Sequence, residues 1–416
     1  MLVKIKNQGI KYMRVLLRIL LFGLVLYLPQ CSLATGTNNE IGIFSPKDDV
    51  LLKYIRYRHL THICNDVELN NFNGKLIIIA PYAIDKDTLY ILGILKSRVS
   101  TGLNVICLKQ NILPKALFPA LITGTPTQTY QLKELINYSP GHPVLAGINR
   151  EYIRNLRYGT TTPNIIMFKP QRGNFRTLIG TPDEVLLLEI PYGKGIFIFC
   201  QLDVPDPYDN TLLKNMIDYA LKYNKIHMPK LAVYAYPKGK IMEILNTTGI
   251  PGYRNPLRLE EFDITIICLT KELIRLMDIL YKQFFQDIKQ FVNTGGKLIL
   301  FNLSPKTKDI FGDIFPNIKV SFRKLKHEEK VKIEIERNKP IIWGLTEYEL
   351  SKIDIDEYVI ANTSRKNNLQ VLVSPGIIAQ VNIGHGEIII CQFSIKDMDG
   401  IKLLSQILTN LGVNVP

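Results

Sequence analysis

The sequence predicts an α/β protein made of two copies of one domain, each built on a mainly parallel sheet with antiparallel additions. Three observations predict it. The phrase GKGIFIFCQLD at 193–203 returns as GHGEIIICQFS at 384–394. Three anchors recur at one spacing: Pro46 with Pro237, Cys200 with Cys391, and Leu213 with Leu404 are each 191 residues apart. Finally, unbroken Ile-rich runs alternate with helical patterns, as expected for parallel strands buried on both faces.

The elements follow in order. A short strand at 41–44 or 231–234 leads into an amphipathic helix. An apolar run at 75–80 or 264–269 is the first fully buried strand. The next helix carries Leu89, Leu92, Leu95 and Val99 in the first copy. In the second it carries Leu273, Leu276, Leu280, Phe284 and Ile288. Each helix stops at glycine, Gly102 or Gly295-Gly296, before a strand at 103–108 or 297–303. HPVLAGI at 142–148 corresponds to KPIIWGL at 339–345. Antiparallel strand signals at 164–168 and 184–190, the repeated phrase and a closing helix complete a copy. The expected domains are 38–226 and 229–416, joined by a short basic stretch.

Residues 1–34 have the pattern of a signal peptide: basic residues, an apolar stretch from Ile19 to Leu28, and Ser32-Leu33-Ala34 as a cleavage site. Export to the periplasm or beyond is expected. A retained anchor and a lipidated Cys31 are the alternatives, so membrane contact is expected only through that segment. The cysteines left after cleavage are odd in number and widely spaced, which predicts no disulfide framework. Cys107, Cys200, Cys268 and Cys391 lie in apolar runs and are expected in the core. The net charge of +14 suits an anionic polymer, a membrane surface or a cell wall. With no arginine-rich run or basic–aromatic motif, nucleic acid is not expected as a partner.

In a parallel sheet, ligands collect at the carboxyl ends of the strands. The layout there resembles class I glutamine amidotransferase-like domains of flavodoxin-like fold. The resemblance implies a nucleophilic Cys after the strand in GLNVICLKQN or GGKLILFNLS, and a His–Glu pair after the repeated phrase. Lys109 and Leu303 stand at the nucleophile position, Asp203 and Ser394 at the His position, and Pro205 and Lys396 at the Glu position. Neither thiol nor imidazole is present to form the triad. HPVLAGINREYIRNLRYG, FRTLIG and LLLEIPYGKGIFIFCQLDV further resemble amidotransferase-like modules of glycoside hydrolase family 2 and β-galactosidase-type proteins. There such modules are accessory or oligomerising, which implies a non-catalytic scaffold or binding module linked to carbohydrate or the cell envelope. A protein partner or homo-oligomer is the other implied association.

The candidate ligand-binding residues are Asp203, Asp206, Asp209, Lys109, Gln110 and Ser394, with no catalytic residue, cofactor or metal expected. The three aspartates also suit a helix cap and turn. The alternative is a glycoside hydrolase with relocated carboxylates around Asp203. His59 and His62, near Cys64, are expected to be ordinary surface or turn histidines rather than metal ligands, His385-Gly386-Glu387 a hairpin turn, and Trp343 a core residue.

Overall fold

The computed structural model describes residues 40–45, 60–112, 124–127, 135–156, 164–168, 174–182, 184–204, 210–225, 227–280, 284–326, 332–361 and 369–415. The signal-like segment, Asp206, Asp209 and His59 lie outside the described residues, as does the first copy's helix expected after the strand at 41–44.

The first half contributes strands β1 (Ile41–Phe44), β2 (Leu60–Ile63), β3 (Leu76–Ile79), β4 (Asn104–Cys107), β5 (Gly124–Thr127), β6 (Ile136–Asn137), β7 (Asn164–Phe168), β8 (Arg176–Gly180), β9 (Glu184–Tyr192) and β10 (Gly195–Cys200). Its helices are α1 (Asp66–Asn71), α2 (Ile91–Thr101), α3 (Arg150–Asn155) and α4 (Thr211–Lys222). The second half contributes β11 (Leu231–Tyr234), β12 (Tyr253–Arg254), β13 (Ile264–Cys268), β14 (Lys297–Phe301), β15 (Phe322–Lys324), β16 (Tyr358–Ile360), β17 (Leu369–Val373), β18 (Ile378–Ile383) and β19 (Gly386–Cys391). Its helices are α5 (Lys240–Thr247), α6 (Lys271–Leu280), α7 (Phe284–Asn293), α8 (Lys308–Ile314), α9 (Glu347–Leu350) and α10 (Met398–Asn410).

The chain is α/β with two mixed sheets. In the first, β2-β1-β3-β4-β10 run parallel and β9, β7 and β5 continue antiparallel. In the second, β12-β11-β13-β14-β19 run parallel and β18 and β17 continue antiparallel. The parallel parts therefore share one strand order. Their central strands are wholly buried, as the continuous Ile-rich runs require once helices cover both faces.

The repeated phrase supplies the last parallel strand of each sheet, β10 or β19, with the turn that leads into it. Its Gly-x-Gly is the hairpin turn between β9 and β10, or between β18 and β19. Gly193 and Gly384 take φ of +59° and +56°, which glycine adopts without cost. A Cβ on Gly195 would overlap the carbonyls of Leu103 and Val99, and one on Gly386 those of Val292 and Gly296. The turn is thus pressed onto the end of the preceding helix and the start of the central strand.

The helix expected from Leu273 to Ile288 is described as α6 and α7, with residues 281–283 between them outside the described residues. Two features were not expected. The first is the pair of edge strands β2 and β12, short, partly exposed and paired on one side alone, with β1 and β11. Lastly, Cys64 is disulfide-bonded.

Candidate functional site

At the carboxyl edge of the first sheet, Lys109 follows β4 and Asp203 follows β10, so parallel pairing brings them together across 94 residues. Lys109 Nζ lies 2.5 Å from Asp203 Oδ1, the lysine being 4% exposed and the aspartate 39%. Tyr82, held at φ +60°, donates its N–H to the Lys109 carbonyl (2.8 Å), and its ring centroid is 5.8 Å from the ammonium.

Gln110 is wholly buried. Its amide donates to the carbonyls of Ala80 (2.7 Å) and Leu108 (2.6 Å) and accepts from the Ile84 N–H (2.9 Å). Its own N–H donates to Gln201 Oε1 at 3.3 Å, and in the second sheet Gln392 Nε2 donates to the Leu303 carbonyl at 2.7 Å. The Gln of each repeated phrase therefore ties two adjacent strand ends. Ser394 sits at that edge of the second sheet, apart from Lys109 and Asp203. Its N–H donates to the Asp354 carbonyl (2.8 Å) and its Oγ accepts from the Lys396 N–H (3.2 Å).

All four free cysteines among the described residues are buried. Burial pushes the Cys200 and Cys268 thiols up to about 12, and raises Cys107 and Cys391 as well. A thiol so far from ionising is no nucleophile at neutral pH. Beside Cys391, burial first and the neighbouring Asp354 second raise Asp356 to about 6. Its Oδ2 is enclosed without a hydrogen-bond partner. The alternation IDIDE around it carries no sign of burial, which is why sequence reasoning missed this carboxyl.

No group of three or more metal-ligating side chains occurs among the described residues. His62 lies on β2 with Nε2 2.9 Å from the Ser45 carbonyl. Glu387, on the hairpin of β18 and β19, pairs with Lys297 at 3.0 Å.

A second cluster lies where the halves meet. Glu189, a lone acid in the apolar run of β9, is wholly enclosed. Arg176 on β8 reaches its two oxygens through Nη1 at 2.8 and 2.9 Å, and the Tyr219 hydroxyl donates at 3.1 Å. His142 Nδ1 accepts the Val144 N–H, which places the ring proton on Nε2, 2.8 Å from the carboxylate. Burial alone would raise Glu189; Arg176 and then His142 outweigh it and hold the group at about 2. From the second half, Asn410 Oδ1 accepts from Arg176 Nε at 2.9 Å, and Trp343 packs edge-on to His142 with centroids 5.1 Å apart. Gln406 Nε2 donates to the Phe175 carbonyl at 2.8 Å, and Thr409 Oγ1 donates to Asn174 Oδ1 at 3.1 Å. Trp343, expected in a core, therefore belongs to the contact between halves. With its oxygens engaged and no open face, Glu189 is built to hold position. Its sequence signal was the carboxylate inside EVLLLEIPY, which is affordable only when paired.

No family model and no curated protein matches the chain. Solved structures match it in part. A β-galactosidase from Rahnella sp. R3 is 9% identical at a TM-score of 0.30, with 49% of this chain and 35% of that one covered. A cytoplasmic protein from Salmonella typhimurium is 12% identical at a TM-score of 0.33, with 45% and 100% covered. A β-galactosidase from Bacillus circulans sp. alkalophilus is 10% identical at a TM-score of 0.30, with 82% and 53% covered. The matched part spans about a third of the Rahnella enzyme and about half of the Bacillus one.

Proposed function

We propose that this protein is an exported tandem of two duplicated, flavodoxin-like, amidotransferase-like domains, acting as a non-catalytic scaffold or binding module in carbohydrate or cell-envelope processes. The observation that carries the non-catalytic reading is the state of the strand ends. Their thiols are sealed in the core with raised pKa values, and Lys109 and Asp203 neutralise one another where the triad would stand. The shared strand order and the repeated hairpin support duplication. The enclosed Glu189 network, with its bonds to α10, supports a rigid pair of domains. Export rests on the N-terminal sequence pattern, and the carbohydrate link on the resemblance of the repeated phrases.

The alternative glycoside hydrolase needs two carboxyl groups facing one another across about 5–10 Å. Asp203 instead faces an ammonium. The test is a pair of turnover assays on the full chain, glutamine deamidation and p-nitrophenyl β-galactoside hydrolysis, beside calorimetric titration with a glycan panel. Glycan binding without turnover is expected. Turnover that disappears in Asp203→Asn would establish the hydrolase instead.

A further inference from the structure

The amino edge of the second sheet, opposite the strand ends, opens as a cleft of about 970 Å³ between the turn into β13, helix α7 and the start of β14. The corresponding place in the first sheet is bridged. There the Arg98 carbonyl accepts from the Leu103 N–H (3.1 Å) at the end of α2, and the Arg98 guanidinium donates to the carbonyls of Leu69 and Phe72 ahead of β3. In the second half the same backbone bond, Gly296 N–H to the Phe291 carbonyl at 2.9 Å, falls on a phenylalanine. Phe291 has no donors to reach the facing turn, and the cleft stays open.

Its walls are chemically distinct. Glu260 and Phe262 line one side, Asp287 and Gln290 the other, and Phe291 adds apolar surface. Asp287 and Gln290 are three apart on α7 and so share a face. Among the described residues the side chains of Glu260, Asp287 and Gln290 have no hydrogen bond or ion pair. Tyr253 stands edge-on against Phe262 at 5.3 Å and is 64% exposed, extending the aromatic surface out of the cleft. The unpaired charges are acidic on a chain of net charge +14, which disfavours an anionic ligand here. Free acceptors, an amide donor and aromatic faces suit a ligand with both hydroxyls and apolar C–H faces. The volume is at the upper end of the ~300–1,000 Å³ typical of ligand clefts.

We propose that this cleft binds a neutral oligosaccharide, with Asp287, Gln290 and Glu260 pairing its hydroxyls and Phe262 and Tyr253 taking its apolar face. This deepens the carbohydrate-binding reading and rests on it. It also moves the site from the carboxyl edge of the first sheet, where Lys109 and Asp203 stand, to the amino edge of the second.

The test is isothermal titration of the full chain with galacto-, manno- and cello-tetraose, a galacturonate tetramer and an oligolysine peptide. The proposal expects a neutral tetrasaccharide to bind. Asp287→Ala/Gln290→Ala, which alters exposed side chains alone, should weaken that binding at least tenfold with an unchanged melting curve. Neutral-sugar binding that survives the double variant, or is lost instead in Asp203→Asn, overturns the cleft and leaves the carbohydrate reading standing. Binding of oligolysine alone makes the cleft an acidic docking surface and overturns the saccharide. If no saccharide binds, the cleft and the carbohydrate reading both fall.

Discussion

Replacing Arg176 with methionine tests whether the Glu189 cluster holds the two halves together. The substitution keeps much of the side chain's bulk but leaves an enclosed carboxylate facing only His142 and Tyr219. The native environment lowers Glu189 from 4.5 to about 2. At 1.36 kcal/mol per unit this is worth ~3 kcal/mol of preference for the charged form. Breaking one side of a buried ion pair costs about 3–5 kcal/mol by comparison with other proteins. Arg176→Met should therefore lower unfolding free energy at pH 7 by ~3–4 kcal/mol. Arg176→Met/Glu189→Met should recover most of the loss, because an apolar pair leaves no stranded charge. Trp343 is the only tryptophan, 6.0 Å from the Arg176 guanidinium, so its fluorescence in a urea titration reports on the contact directly. The pH dependence has a definite sign. A depressed carboxylate contributes its full stability above about 4.5 and loses it as pH falls towards about 2. Without Arg176 that loss on acidification should shrink, because its size is set by how far the folded group lies below its unfolded value. An Arg176→Met midpoint within ~0.5 kcal/mol of the parent, or a double variant as unstable as the single one, would refute this account.

Three further outcomes are expected. Asp203→Asn strands the Lys109 ammonium in a site 4% exposed and should cost about 1–3 kcal/mol in thermal or urea unfolding, with Lys109→Met/Asp203→Asn less affected. Asp356→Asn should stabilise at pH 8 and be nearly neutral at pH 4. The raised carboxyl is unpenalised below 3.8, and its penalty is complete above about 6, so equal melting shifts at both pH values would exclude this. Gly195→Ala drives a methyl into the Leu103 carbonyl and should cost at least ~1–3 kcal/mol, while Gly312→Ala, facing open space within α8, should be neutral or stabilising. Melting temperatures of the pair check the contrast.

Much of the architecture was legible because it is written in local pattern. Ile-rich runs such as Leu76–Ile79 lack the polar alternation of a half-exposed strand, so both faces had to be covered. The Gly-x-Gly before each Cys-Gln marked a hairpin, and the glycine at each helix stop ended it on cue. The edge strands were not legible, since Tyr253-Arg254 becomes a strand only by lying against β11. Of the candidate site residues, Lys109 and Asp203 came together as strand order requires. Gln110 gave no local hint that its amide would be consumed by the carbonyls of Ala80 and Leu108.

The sequence by itself determined the periodicities, the repeated hairpin and the burial of the four core cysteines. These depend on residue identity and spacing along a few turns or strands. Tertiary structure alone decided that Glu189 meets Arg176, that Trp343 joins the halves, and that Arg98 closes one sheet edge while Phe291 leaves the other open. Each of those pairs residues far apart in the chain or compares two distant edges, and only packing supplies the distance that makes a charge a bond or a gap a cleft.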